Sequence, residues 1–132
     1  AEGVGEVATA IKILGANHKI QVEAFDDPKV EGVACFLSRA RTGGIKGSLG
    51  IAEDTPDASI NCQQTGPVAF RGDLSPGEEV FSARASAIFK RVQVVRFFDQ
   101  TRNALIYLTY SDRVIDGSPK NSVSAVVIRD WQ

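Results

Sequence analysis

Apolar and polar residues alternate along most of this chain, and a period of two marks strands with one buried face. Lys19-Ile20-Gln21-Val22-Glu23-Ala24 is the plainest case, and Phe25 continues it. Asp26-Asp27-Pro28 ends it, because proline has no N–H for a ladder and aspartate favours turns. Ahead of it, Val4 to Ile13 mixes small and β-branched residues and predicts a first strand, closed by the turn Gly15-Ala16-Asn17. Gly32 to Ser38 predicts a third strand. Val33, Cys35 and Leu37 share one face, Ala34 and Phe36 the other, and that two-sided apolar pattern places the strand centrally.

Glycines at 43, 44, 47 and 50 break the alternation. Ile45, Leu49 and Ala52 recur at helical spacing, which predicts a short helix or helical turn near 43–52. A tight glycine loop is its rival, since each glycine inside a helix costs roughly 1 kcal/mol. Glu53 to Asp57 is a turn and Ala58 to Gln64 a returning strand. Gly66-Pro67 and Arg71 to Gly77 read as loop. Val80 to Phe89 is then a strand with Phe81, Ala83, Ala85, Ala87 and Phe89 on one face. Val92–Phe98, Ala104–Tyr110 and Ser122–Ile128 follow, separated by turns at Asp99–Asn103 and Asp116–Asn121. The expectation is a mainly β fold: about eight strands as a sandwich or small barrel-like sheet, ending in an up-and-down meander.

A length of 132 residues suits a single domain spanning 1–132. The net charge of −1 offers no excess of cations to a phosphate backbone, so no nucleic-acid partner is expected. No apolar run reaches the ~18 residues needed to cross a bilayer. Methionine is absent even from position 1. The chain therefore reads as trimmed or as the mature form of an exported protein, and Ala1-Glu2-Gly3 suits the mature side of a signal-peptidase cut.

The two cysteines, Cys35 and Cys62, allow one disulfide or two buried thiols. In the first case, chain entropy puts closure of the intervening loop at roughly 3–4 kcal/mol. Two cysteines and one distant histidine do not match a zinc spacing, so neither metal nor cofactor is expected.

Chemistry-bearing patterns are sparse. The glycine stretch lacks the order of a Walker loop, because Lys46 precedes Gly47 and Ser48. Gly44-Ile45-Lys46-Gly47 fits the GxxG of an RNA-binding loop, but strands rather than two helices flank it. Arg39, Arg41 and Lys46 face Glu53, Asp54 and Asp57 across the segment between the cysteines. That arrangement serves either an anion- or peptide-binding patch or mutual salt bridging, at up to ~1 kcal/mol per exposed pair. His18 is the sole histidine. With Asp26 or Asp27 as its orienting carboxylate it would be the centre of any hydrolase, although its turn sequence suits a solvated side chain equally. No paired-carboxylate, Ser-His-Asp or Cys-His constellation stands at recognisable spacing, so no residue is assigned a catalytic role. Arg71-Gly72-Asp73 reads as a solvated turn. Trp131 covers a sheet edge or frays with the tail.

HKIQVEAFDDPKV (His18 to Val30), SRARTGGIKGSLGIAEDTPDASINCQQTGP (Ser38 to Pro67), VQVVRFFDQTRNALIYLTYSD (Val92 to Asp112) and GSPKNS (Gly117 to Ser122) closely resemble the CreA family, named for catabolite regulation protein A. Only Val68 to Glu79 stands free of the family's pattern. The resemblance implies a small bacterial protein made with a signal peptide and working in the periplasm. It carries over no catalytic residue. Cys35 and Cys62 occupy the family's cysteine positions, which implies that the pair is disulfide-bonded.

The function expected is that of an exported, non-enzymatic binding or accessory protein with a protein or small-molecule partner in the periplasm. Its candidate surface comprises His18, Asp26, Asp27, Arg39, Arg41, Lys46, Asp54 and Asp57. The alternatives are a small-ligand carrier, with a barrel cavity left by the alanines at 83, 85 and 87, and a hydrolase built on His18.

Overall fold

The computed structural model describes residues 2–10, 18–42, 58–84, 91–111 and 120–132. They form eight antiparallel strands: β1 Glu2–Ala10, β2 His18–Asp26, β3 Val30–Thr42, β4 Ala58–Phe70, β5 Glu78–Arg84, β6 Arg91–Asp99, β7 Ala104–Ser111 and β8 Asn121–Val127. Strands β1 to β4 make one four-stranded sheet and β5 to β8 another, each in chain order. Consecutive strands pair antiparallel throughout both sheets, the pattern of hairpin-connected meanders. The fold is therefore two packed sheets. The helical turn expected near 43–52 lies outside the described residues.

β3 sits between β2 and β4, the central place its two-sided pattern called for. It runs on to Thr42, beyond the expected end at Ser38. The interior parity Val33, Cys35, Leu37 therefore continues to Arg39, and all four are buried. From β6 and β7 come Val92, Val94, Leu105 and Tyr107, with Val126 from β8, to close the core against Phe25, Ile60 and the two cysteines. Full burial of each such aliphatic side chain contributes about 1.5–3 kcal/mol. Phe25 of β2 stacks on Phe81 of β5 at 4.7 Å, which confirms the inward face read for Phe81.

Gly66-Pro67, expected as loop, lies inside β4. The ladder slips there: Glu31 pairs with Ala69, but Val33 pairs with Gln64. The extra residues bulge out, so proline's missing N–H costs no ladder bond. Opposite the bulge, Gly32 has φ +85°, and a Cβ built on it would lie 2.2 Å from the Pro67 carbonyl oxygen. Only glycine fits that approach.

Cys35 and Cys62 are directly opposed across β3 and β4, their Cα atoms 4.0 Å apart, and they form a buried disulfide. So close a spacing marks a pair that exchanges no backbone hydrogen bonds. The Cys62 N–H therefore points away from β3, out of the sheet, and finds the Ser124 hydroxyl of β8 at 2.9 Å. β4 lies against β7 and β8, so the two sheets meet along this edge through side chains and without a shared ladder.

Candidate functional site

Asp27 leads the turn into β3, and its carboxylate caps that turn by accepting from the Lys29 N–H at 2.9 Å. An aspartate at that position is ordinary turn chemistry. The same carboxylate also crosses to the other sheet. Arg96 of β6 donates to both of its oxygens through Nη1, at 2.9 and 3.0 Å, and the Tyr107 hydroxyl of β7 donates at 2.8 Å. Both side chains of this ion pair are fully buried. The other terminal nitrogen, Nη2, reaches Glu78, whose second oxygen meets Lys29 Nζ at 2.7 Å. Hydrogen bonding from Lys29, then from Arg96, holds the Glu78 carboxyl below its ordinary value. Burial, reinforced by the adjacent Asp27 charge, pushes the Tyr107 phenol well above its own.

A second buried pair lies inside the first sheet. Arg39 Nε donates to Glu23 at 2.6 Å across β2 and β3, with both side chains nearly sequestered. Arg39 therefore leaves the exposed loop rim expected for it, and Asp27 likewise leaves the expected surface. The physical reason for Arg39 is strand length, since β3 continues past Ser38 and carries it inward by parity. For Asp27 it is a partner 69 residues away.

The remaining members of that surface are scattered. Asp26 is exposed at the end of β2, and His18 opens the same strand, paired in register with Thr42. β2 is nine residues long, so at about 3.3 Å per step its ends lie roughly 26 Å apart. That distance separates His18 from Asp26 and Asp27, far beyond hydrogen-bond reach. Arg41 pairs in register with Lys19, near His18. Lys46, Asp54 and Asp57 lie outside the described residues. Among the described residues no cluster of His, Cys, Asp and Glu is placed to hold a metal, and no helix is long and apolar enough to cross a membrane. The Arg71 guanidinium pairs with Glu31, so the Arg71–Asp73 turn holds its arginine against β3.

Little in the sequence announces an opening that the structure contains. Along the β4–β8 edge runs a cleft of about 430 Å³. Gln63 of β4, Ala125 and Val127 of β8, and Arg129, Asp130 and Trp131 beyond β8 line it. Gln64 fixes the tail by bonding both backbone groups of Arg129: Nε2 donates to its carbonyl at 2.8 Å, and Oε1 accepts from its N–H at 2.9 Å. Asn103 does similar work one residue earlier, its carbonyl accepting from the Ile128 N–H at 2.9 Å. The tail backbone is thus held while Arg129, Asp130 and Trp131 stay exposed. The last strand was expected over Ser122–Ile128, which places Ala125 and Val127 in it; the carboxamide clamp had no local signal.

The family model described as CreA protein matches residues 4–131. The chain is 56% identical over 136 residues to Protein CreA of Escherichia coli strain K12, covering 100% of this chain and 87% of that relative. The Protein CreA sequences of Escherichia coli strains CFT073 and O157:H7 match to the same extent. No solved structure matches.

Proposed function

The chain belongs to the CreA family, and on that footing we propose that it is an exported, non-enzymatic binding or accessory protein. The observation that carries this reading is the cleft beside Trp131, where polar residues and an aromatic one line open space. Several groups that chemistry would need are committed among the described residues. Both Asp27 oxygens are occupied by Arg96 and Tyr107, Glu23 is bonded to Arg39, and the thiols are joined. A buried disulfide persists in an oxidising compartment, which supports export to the periplasm. The carrier alternative drew its cavity from Ala83, Ala85 and Ala87, and Ala85 and Ala87 lie outside the described residues; the described core is built of packed side chains. A hydrolase on His18 would need a carboxylate other than Asp26 or Asp27.

Thermal melting of the disulfide-intact protein tests the reading. A panel of saccharides, amino acids, dipeptides and phosphates is added, and a ligand that binds the folded chain raises Tm as its concentration passes Kd. We expect one class to do so, with no turnover of chromogenic ester, phosphate, glycoside or peptide substrates. Turnover that survives purification to homogeneity would overturn it.

A further inference from the structure

This step rests on the binding reading and names the ligand class: we propose that the β4–β8 cleft is a saccharide site. Its two kinds of lining set contradictory demands on most ligands. Trp131, 49% exposed, brings an indole to the lining, and Ala125 and Val127 bring small aliphatic side chains. Around them stand planar polar groups: the Arg129 guanidinium, the Asp130 carboxylate and the Gln63 carboxamide. Among the described residues neither Arg129 nor Asp130 has a side-chain ion pair with the protein. Gln63 donates to Asn61 Oδ1 at 2.8 Å, and its own carboxamide oxygen is an acceptor by nature.

A purely apolar ligand would strip water from that rim and return no hydrogen bonds, at the cost of each unsatisfied group. A simple anion would match Arg129 and oppose Asp130; a simple cation would do the reverse. A pyranose meets all of the lining at once. Its C–H face lies on an indole, and its edge hydroxyls each donate and accept, so that they satisfy a carboxylate, a guanidinium and a carboxamide without carrying charge. The volume, about 430 Å³, falls in the range of small-molecule sites, roughly 300–1,000 Å³. The backbone clamp by Gln64 adds preorganisation, because Arg129 is held before any ligand arrives.

The experiment uses an accident of composition: Trp131 is the chain's only tryptophan, so its emission reports on the cleft alone. The disulfide-intact protein is titrated with maltotriose, cellotriose and N,N′-diacetylchitobiose, and in parallel with L-arginine, L-glutamate and inorganic phosphate. At least one saccharide is expected to give a saturable emission shift, with Kd of the order of 1 mM. Asp130→Ala and Gln63→Ala, both exposed and checked for unchanged melting, are expected to weaken it at least tenfold. No saturable saccharide response by fluorescence or calorimetry overturns the proposal, as does a response unchanged in both variants. Saturation by an amino acid or by phosphate alone overturns the saccharide class and leaves the binding reading standing. Turnover of any probe removes both.

Discussion

At the Asp27 corner the two sheets are joined by charges that water never reaches; along the β4–β8 seam they are joined by neutral groups near the surface. The corner spends the Arg96 Nη1 and Tyr107 hydroxyl donors on holding the sheets together. Each part of it is specific, because a buried ion that loses a partner keeps its desolvation cost. Among the described residues the seam uses a serine hydroxyl and a carboxamide, and it leaves Arg129, Asp130 and Trp131 exposed. One junction is built to hold, the other to hold and still offer a surface.

The sharpest way to break this contrast is to unbalance the corner. Asp27→Ala leaves the fully buried Arg96 without its main counter-ion, and a loss of about 3–5 kcal/mol is expected by urea denaturation. A loss below about 1 kcal/mol, the scale of an exposed pair, would mean that the corner is no more than a surface bridge.

A smaller effect is expected from Tyr107→Phe, which removes one of the donors to Asp27 and retains the ring: about 1–2 kcal/mol. It also carries a pH signature. The folded protein holds the phenol proton more tightly than the unfolded chain, whose value is near 10.0. Stability contributed by this group is complete below pH 10 and is lost as pH rises toward the higher folded value. Melting temperature against pH should therefore fall above pH 10, and the fall should be shallower in Tyr107→Phe. Equal slopes would detach Tyr107 from the corner's energetics.

At the seam, Ser124→Ala should cost only about 0.5–1.5 kcal/mol, because it removes one neutral hydrogen bond to the Cys62 N–H. Its mark should be local: amide exchange at Cys62 quickens while exchange in the β6–β7 ladder is unchanged. Uniform loss of protection across both sheets would make the seam as integral as the corner.

What the chain disclosed in advance follows the same division. Alternation found the strands, put β3 at the centre and turned Phe81 inward, because each depends on neighbours two residues apart. It also held the clue to Arg39 and Arg96, which share parity with Val33, Cys35 and Leu37 and with Val92 and Val94, but a charged side chain on an apolar face reads as the end of the pattern. Gly66-Pro67 carried a loop signal because the bulge that absorbs it is a property of two strands, not one. Asp27 was legible as a turn former and illegible as an ion-pair partner, since Arg96 and Tyr107 come from the far half of the sequence. The cleft was harder still: it joins Gln63 to Trp131 across two sheets, and no local pattern encodes an edge where they meet.

Among the described residues, every ladder joins strands that are consecutive in sequence. Each meander can thus assemble from short loop closures before it meets the other, and the search for the native state becomes the docking of two preformed halves. The Asp27–Arg96 bond spans 69 residues and belongs to that last encounter. Its removal should then appear in the rate of coming apart far more than in the rate of coming together, which makes the corner a determinant of how long the folded protein lasts.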